Sequence, residues 1–184
     1  RVEDAVVPLE RSIALEPLRS EYRVTLGTTL GQLRRFDEAL AEIRQALALD
    51  PNLKSAHYAL GGVERSRGNN ELALEAFDEA LSFDPSDLEI QNSRARELIL
   101  LGRFKEAEVV LRKVIGHDRE MLSARTNLAV VLLNRAELTE ALEVCREILR
   151  RWPDYRVARE LMAEIYTQQG ETELARKGKS GEIP

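Results

Sequence analysis

Residues 54–87 read KSAHYALGGVERSRGNNELALEAFDEALSFDPSD, and the pattern inside them decides the fold. Ala56, Leu60 and Val63 recur at helical spacing in a first run, then Leu72, Ala73, Ala76, Phe77, Ala80 and Leu81 in a second. Each run is one amphipathic helical stripe. Gly68 falls late in the first, where glycine takes the left-handed conformation that ends a helix. Asp84-Pro85 stops the second, because the residue before proline is pushed out of the α region. The same ruler runs the length of the chain. Ala5, Ala39, Ala73, Ala107, Ala141 and Ala175 are each 34 residues apart, as are Pro17, Pro51 and Pro85; Arg119 breaks the proline series and Pro153 resumes it. A fixed period of this length belongs to a helix–turn–helix solenoid, an array in which each repeat touches only its neighbours.

Counting each repeat from just after its proline turn puts complete repeats at 20–53, 54–87, 88–121 and 122–155. Residues 1–19 then form the second helix of an earlier repeat, and 156–184 a first helix, a shortened second one and a breaker tail from Gly178 onward. Gly102 and Gly170 share the phase of Gly68. Ser86 with Glu89 reads as a capping box. Gly27 and Gly61 stand in mid-helix, where glycine costs about 1 kcal/mol relative to alanine. Close approach of the partner helix is the offsetting gain, and Ala95, Ala129 and Ala163 keep the same place small. Pro8, inside a second helix, is expected to remove a backbone hydrogen bond and kink or fray that end.

The 184 residues are 43% hydrophobic and 32% charged, with a net charge of −5. That balance argues against nucleic acid, which needs a dominant positive field, and against a polybasic membrane surface. No apolar run reaches the ~18–20 residues that span a bilayer. Cys145 is the single cysteine, so no internal disulfide forms and the compartment is undecided. Arginine outnumbers lysine 22 to 5, the bias of a GC-rich, bacterial genome.

These residues resemble the tetratricopeptide repeat family. Leu26-Gly27, Leu60-Gly61, Leu128-Ala129 and Met162-Ala163 match its places 7 and 8; the six alanines match place 20; Phe77 matches place 24; Ala46 and Ala80 match place 27; four prolines match place 32. The 88–121 repeat departs most, with Arg94, Val114 and Arg119 at places 7, 27 and 32. The resemblance implies an all-α, right-handed superhelical solenoid whose first helices line a concave groove. It also implies a protein or peptide partner held there, and few members are enzymes by virtue of their repeats.

Catalytic and cofactor motifs are absent: no phosphate loop, no paired-cysteine metal motif, no HExxH. His57, at place 4, and His117, ending a second helix, read as structural; Cys145 reads as core and Trp152 as packing between repeats. No cofactor or metal is expected. At about 100° per residue, places 2, 5, 9, 12 and 13 lie opposite the face that meets the second helix. By the resemblance they line the groove, which offers Tyr58, Arg65, Asn92, Arg96, Thr126 and Asn134, with Asn127 beside them at place 6. Arginine grips carboxylates in two parallel bonds and asparagine pairs with extended backbone. Arg65, Arg96, Asn92 and Asn127 are therefore candidates for an acidic or extended partner segment, set against an ordinary solvated face. Some family members clamp the C-terminal carboxylate of heat-shock chaperones. The nearest register here gives Asn92, Arg96, Asn127, Val157 and Leu161, of which only Asn127 fits.

The competing reading is a structural subunit docked through its convex face, edges or ends. Ile99, Leu100 and Leu133 would form an apolar patch for it, and the N-terminal end is expected to be sticky, self-associating or continuing into further repeats.

Overall fold

The computed structural model describes residues 2–180, and every regular element among them is helical. A 3-10 turn, Val2–Ala5, precedes α1 (Val6–Leu15). Then follow α2 (Ser20–Gln32), α3 (Phe36–Leu49), α4 (Lys54–Arg67), α5 (Asn70–Phe83) and α6 (Leu88–Leu100). After them come α7 (Phe104–His117), α8 (Leu122–Asn134), α9 (Leu138–Arg151), α10 (Arg156–Gln168) and α11 (Thr172–Ser180). The chain divides into two compact units, residues 1–101 and 102–184. The division falls inside the 88–121 repeat, the one whose residues depart most from the period.

In the first unit α2 packs on α3 and α4 on α5. Leu26, Leu30, Leu40, Ile43 and Val63 form one buried cluster, and Phe77, Ala80 and Ile90 another. In the second unit α8 packs on α7 and α9, and α10 on α9 and α11. Leu111, Leu132, Cys145, Ile148, Met162 and Ile165 are fully buried there. The alanine ladder is the common spine: Ala39, Ala73, Ala107 and Ala141 are wholly excluded from water, whereas Ala5 lies in the 3-10 turn and is exposed. A larger side chain at these places would push the paired helices apart.

The glycine readings have a direct physical basis. A Cβ on Gly27 would lie 2.6 Å from Ile43 Cγ1, and one on Gly61 would lie 2.5 Å from the Phe77 ring. Gly68, Gly102 and Gly170 have φ of 86°, 73° and 80°. The period imposes this left-handed residue where glycine is missing too, on Arg34 (φ 61°) and Ala136 (φ 58°). After each of Arg34, Gly68, Ala136 and Gly170 the next N–H reaches back over the turn, as Asn69 does to the Glu64 carbonyl at 2.9 Å, closing a Schellman motif. A side chain in this conformation costs about 1 kcal/mol or more. Arg34→Gly and Ala136→Gly are therefore each expected to raise stability by about 1 kcal/mol, read as a higher urea midpoint at unchanged slope.

Three expectations need correction, and one is met. The cap of α6 is Asp87, whose side chain accepts from the Ile90 N–H at 3.1 Å, not Ser86. Ser86 instead donates to Asp84 Oδ1. Pro8 acts as expected on that end: it offers no N–H to the Asp4 carbonyl, and Val2–Ala5 form a 3-10 turn where the matching residues of α3, α5, α7 and α9 are α-helical. Gly178 does not break the chain, since α11 runs through Ser180; residues 181–184 of the expected tail lie outside the described residues. Leu133 is buried and Ile99 half-buried, so only Leu100 of that proposed patch is strongly exposed.

The turns between repeats are held by two recurring bonds. Asp50, Asp84 and Asp118 each accept, through Oδ1, from the backbone N–H two residues on. A donor at place 4 of the next repeat satisfies the carbonyl of place 32. His57 Nε2–H donates to Pro51 O at 2.9 Å and Arg125 Nε to Arg119 O at 2.8 Å; Gln91 and Arg159 bond Pro85 O and Pro153 O in the same way. His57 also stacks on Phe83, 5.5 Å between centroids.

Candidate functional site

The first helix of each repeat turns places 4, 7, 8 and 11 towards its second helix; places 5 and 12 flank that contact, and place 9 lies opposite it. In the first unit Tyr58 and Arg65 on α4 and Asn92 on α6 stand at flanking places, and Arg96 on α6 stands at place 9. Tyr58 is partly exposed and its ring lies 5.6 Å from that of Phe77. Arg65 is half-buried. Its guanidinium carbon sits 5.7 Å over the same Phe77 ring, and its Nη1 lies 3.8 Å from Glu97 Oε1. Asn92 is buried, and Arg96 is exposed.

Glu97 is the residue that sequence reasoning missed. Its exposure is 0%, and neither carboxylate oxygen accepts a hydrogen bond. Burial pushes its pKa above the ordinary carboxylate range, and the charges of Arg65 and Arg96 pull the other way. The signal was present in the period. Glu97 stands at place 10, where the 54–87, 122–155 and 156–184 repeats have Val63, Val131 and Ile165, all buried. A carboxylate at an aliphatic core place is worth singling out. Its consequence is that Arg65 turns towards an internal acid, leaving Arg96 as the cation of this face that is open to solvent.

In the second unit, Thr126 is half-buried. Its Oγ1 donates to Leu122 O at 2.8 Å and lies 3.3 Å from the Tyr155 hydroxyl. Asn127 is half-buried beside it. Asn134 is exposed, but its Nδ2 donates to Val130 O at 2.8 Å. Thr126 and Asn134 thus use polar atoms within their own helix, while Nδ2 of Asn134 keeps a second donor. The site residues fall in both units, four in the first and three in the second.

Cys145 is fully buried, and desolvation pushes its thiol up to about 12. A thiol that stays protonated at neutral pH is a poor nucleophile. A water-soluble disulfide reagent is expected to leave Cys145 unmodified in the native protein and to react stoichiometrically once urea unfolds it. Rapid native labelling would contradict the packing described. Among the described residues, no three His, Cys, Asp or Glu side chains are grouped to hold a metal, and no helix is long and apolar enough to cross a membrane.

Comparison with known proteins gives a consistent result. A family profile described as tetratricopeptide repeat matches residues 24–87 and 92–156. The TPR repeat-containing thioredoxin TTL4 of Arabidopsis thaliana is 30% identical over 132 residues, 71% of this chain and 19% of that protein. The protein O-mannosyl-transferase TMTC3 of Homo sapiens is 28% identical over 171 residues, 91% of this chain and 19% of that one. The chain therefore spans about a fifth of the length of these curated relatives. Among solved structures, a tetratricopeptide repeat protein from Parabacteroides merdae aligns with a TM-score of 0.84 at 20% identity, covering 96% of this chain and 70% of that one. YrrB, described as a TPR protein with an unusual peptide-binding site, aligns at 0.76 and 20% identity, covering 95% and 90%. At that identity the likeness is one of fold.

Proposed function

This chain belongs to the tetratricopeptide repeat family, whose repeats generally mediate protein–protein interaction, and on that premise we propose that it is a non-catalytic scaffold binding a segment of a partner protein on the first-helix face. Repeats 20–53, 54–87, 88–121 and 122–155 are its working elements. In the first unit Tyr58 offers an aromatic platform and Arg96 a solvent-facing cation. Arg65 lies over the Phe77 ring on which Tyr58 also rests, and Asn92 flanks them. Thr126, Asn127 and Asn134 supply the polar face of the second unit. The observation that carries the reading is the exposure of Arg96, opposite the second-helix contact, and of Tyr58 at its edge beside Phe77. Aromatic and arginine side chains are the usual anchors of protein interfaces.

Arg65 is a poor probe, because reversing its charge would set a second carboxylate beside buried Glu97. The test is a pull-down from host lysate with the parent and a Tyr58→Ala/Arg96→Gln variant, each checked for equal helicity and melting. A partner held by the parent and lost by the variant is expected. A partner held equally by both contradicts the reading.

One observation favours the structural-subunit alternative. Val7, Leu15 and Leu18, on α1 and the turn after it, are 70%, 76% and 81% exposed. Under that alternative, polar substitution of these residues abolishes partner capture and the Tyr58/Arg96 variant does not.

A further inference from the structure

The second unit holds a basic cleft on its second-helix side, away from the face just described. It measures about 550 Å³ and lies over α8, between the C-terminal halves of α7 and α9. Arg112 of α7, Arg119 of the turn, Arg125 of α8, and Arg150 and Arg151 of α9 line it, with Glu147 as the one acidic side chain.

The period supplies an internal control. One period-pair earlier, in the first unit, the same places hold Arg44, Pro51, His57, Ser82, Phe83 and Glu79. There the stacked His57 and Phe83 rings occupy the positions of Arg125 and Arg151, and proline stands where Arg119 does. Architecture therefore does not require the cations. Backbone geometry does not require Arg119 either. Asp118 before it has φ −127° and ψ 98°, close to Asp50 (−138°, 94°) and Asp84 (−147°, 85°), both followed by proline.

The cleft already binds carboxylates. Arg125 Nη1 holds Glu147 at 3.0 Å, Arg112 Nη2 holds Glu140 and its Nε Glu108, each at 2.8 Å, and Arg151 pairs with Glu120. Arg119 and Arg150 make no ion pair among the described residues. Two guanidinium forks thus stand without a carboxylate in a cleft whose other three arginines each have at least one.

We propose that this cleft is a second docking site, one that takes a short acidic segment of a partner protein through Arg119 and Arg150. A short peptide fits better than a nucleic acid. The cations form a single spot on a chain of net charge −5, and a long polyanion would meet repulsion beyond it. The site is independent of the first-helix face, so the two readings stand or fall separately.

The test uses the whole 184-residue chain and a fluorescent oligoglutamate peptide, read by anisotropy at about 50 mM salt. Arg119→Pro and Arg150→Ser install the residues that the period places there in the first unit, so the fold is kept and equal melting verifies it. The parent should bind saturably, and more weakly as salt rises. The double variant should bind about tenfold more weakly, while Tyr58→Ala/Arg96→Gln binds like the parent. The proposal is overturned if the parent does not saturate or if the double variant binds equally well. Loss confined to the Tyr58/Arg96 variant also overturns it. So does a single-stranded oligonucleotide that binds as tightly with the same dependence on Arg119 and Arg150.

Discussion

Gly61→Leu is expected to destabilise the first unit by about 3 kcal/mol. Three atoms of the Phe77 ring lie 2.5–2.8 Å from where a Cβ would stand, and Phe77 is fully buried. The ring has no free direction to take. Tyr58 and Arg65 both pack on it, so moving Phe77 also disturbs the proposed binding face. Glycine at place 8 accompanies β-branched Ile43 or the Phe77 ring at place 24, whereas Ala95 accompanies Leu111 and Ala129 accompanies Cys145, side chains that are neither β-branched nor aromatic. Gly61→Ala/Phe77→Leu should therefore lose less stability than the sum of its single changes, a coupling that a double-mutant cycle in urea reads directly. Additive losses would refute the close-approach account.

Glu97→Val is expected to act in the opposite sense, stabilising by about 2 kcal/mol at pH 7. Replacing a buried charge with a well-fitting apolar residue is often favourable, and valine already serves place 10 at Val63 and Val131. Arg65, released from Glu97, is still 27% exposed and can be hydrated. The pH dependence follows from linkage. The folded-state pKa of Glu97 is raised above its ordinary 4.5, so the folded protein holds this proton more tightly than the unfolded chain. The stabilisation is complete below pH 4.5 and is lost as pH rises through the folded value. Relative to Glu97→Val, the parent should therefore gain stability as pH falls from 7 towards 5. Two parallel curves of unfolding free energy against pH would show that Glu97 is solvated, contrary to its burial.

Much of this protein is written in its period. The alanine ladder, the glycines of the turns and the Asp-Pro stops determined helix pairs, their length and their buried seam. Those features are local or repeat at fixed spacing, and steric rules act on each occurrence alike. Even the departures from the period were visible as letters, Arg119 for proline and Glu97 for valine. What those departures do was not. A helical wheel places Arg65 on an open face, but a long side chain turns towards whatever charge lies within reach, and that charge sits on the next first helix. The five arginines of the cleft come from two helices, a turn and a third helix, so no window of sequence brings them together. Packing decided which cations were already paired and which were left to meet a partner, because pairing depends on distances across helices that the period does not encode.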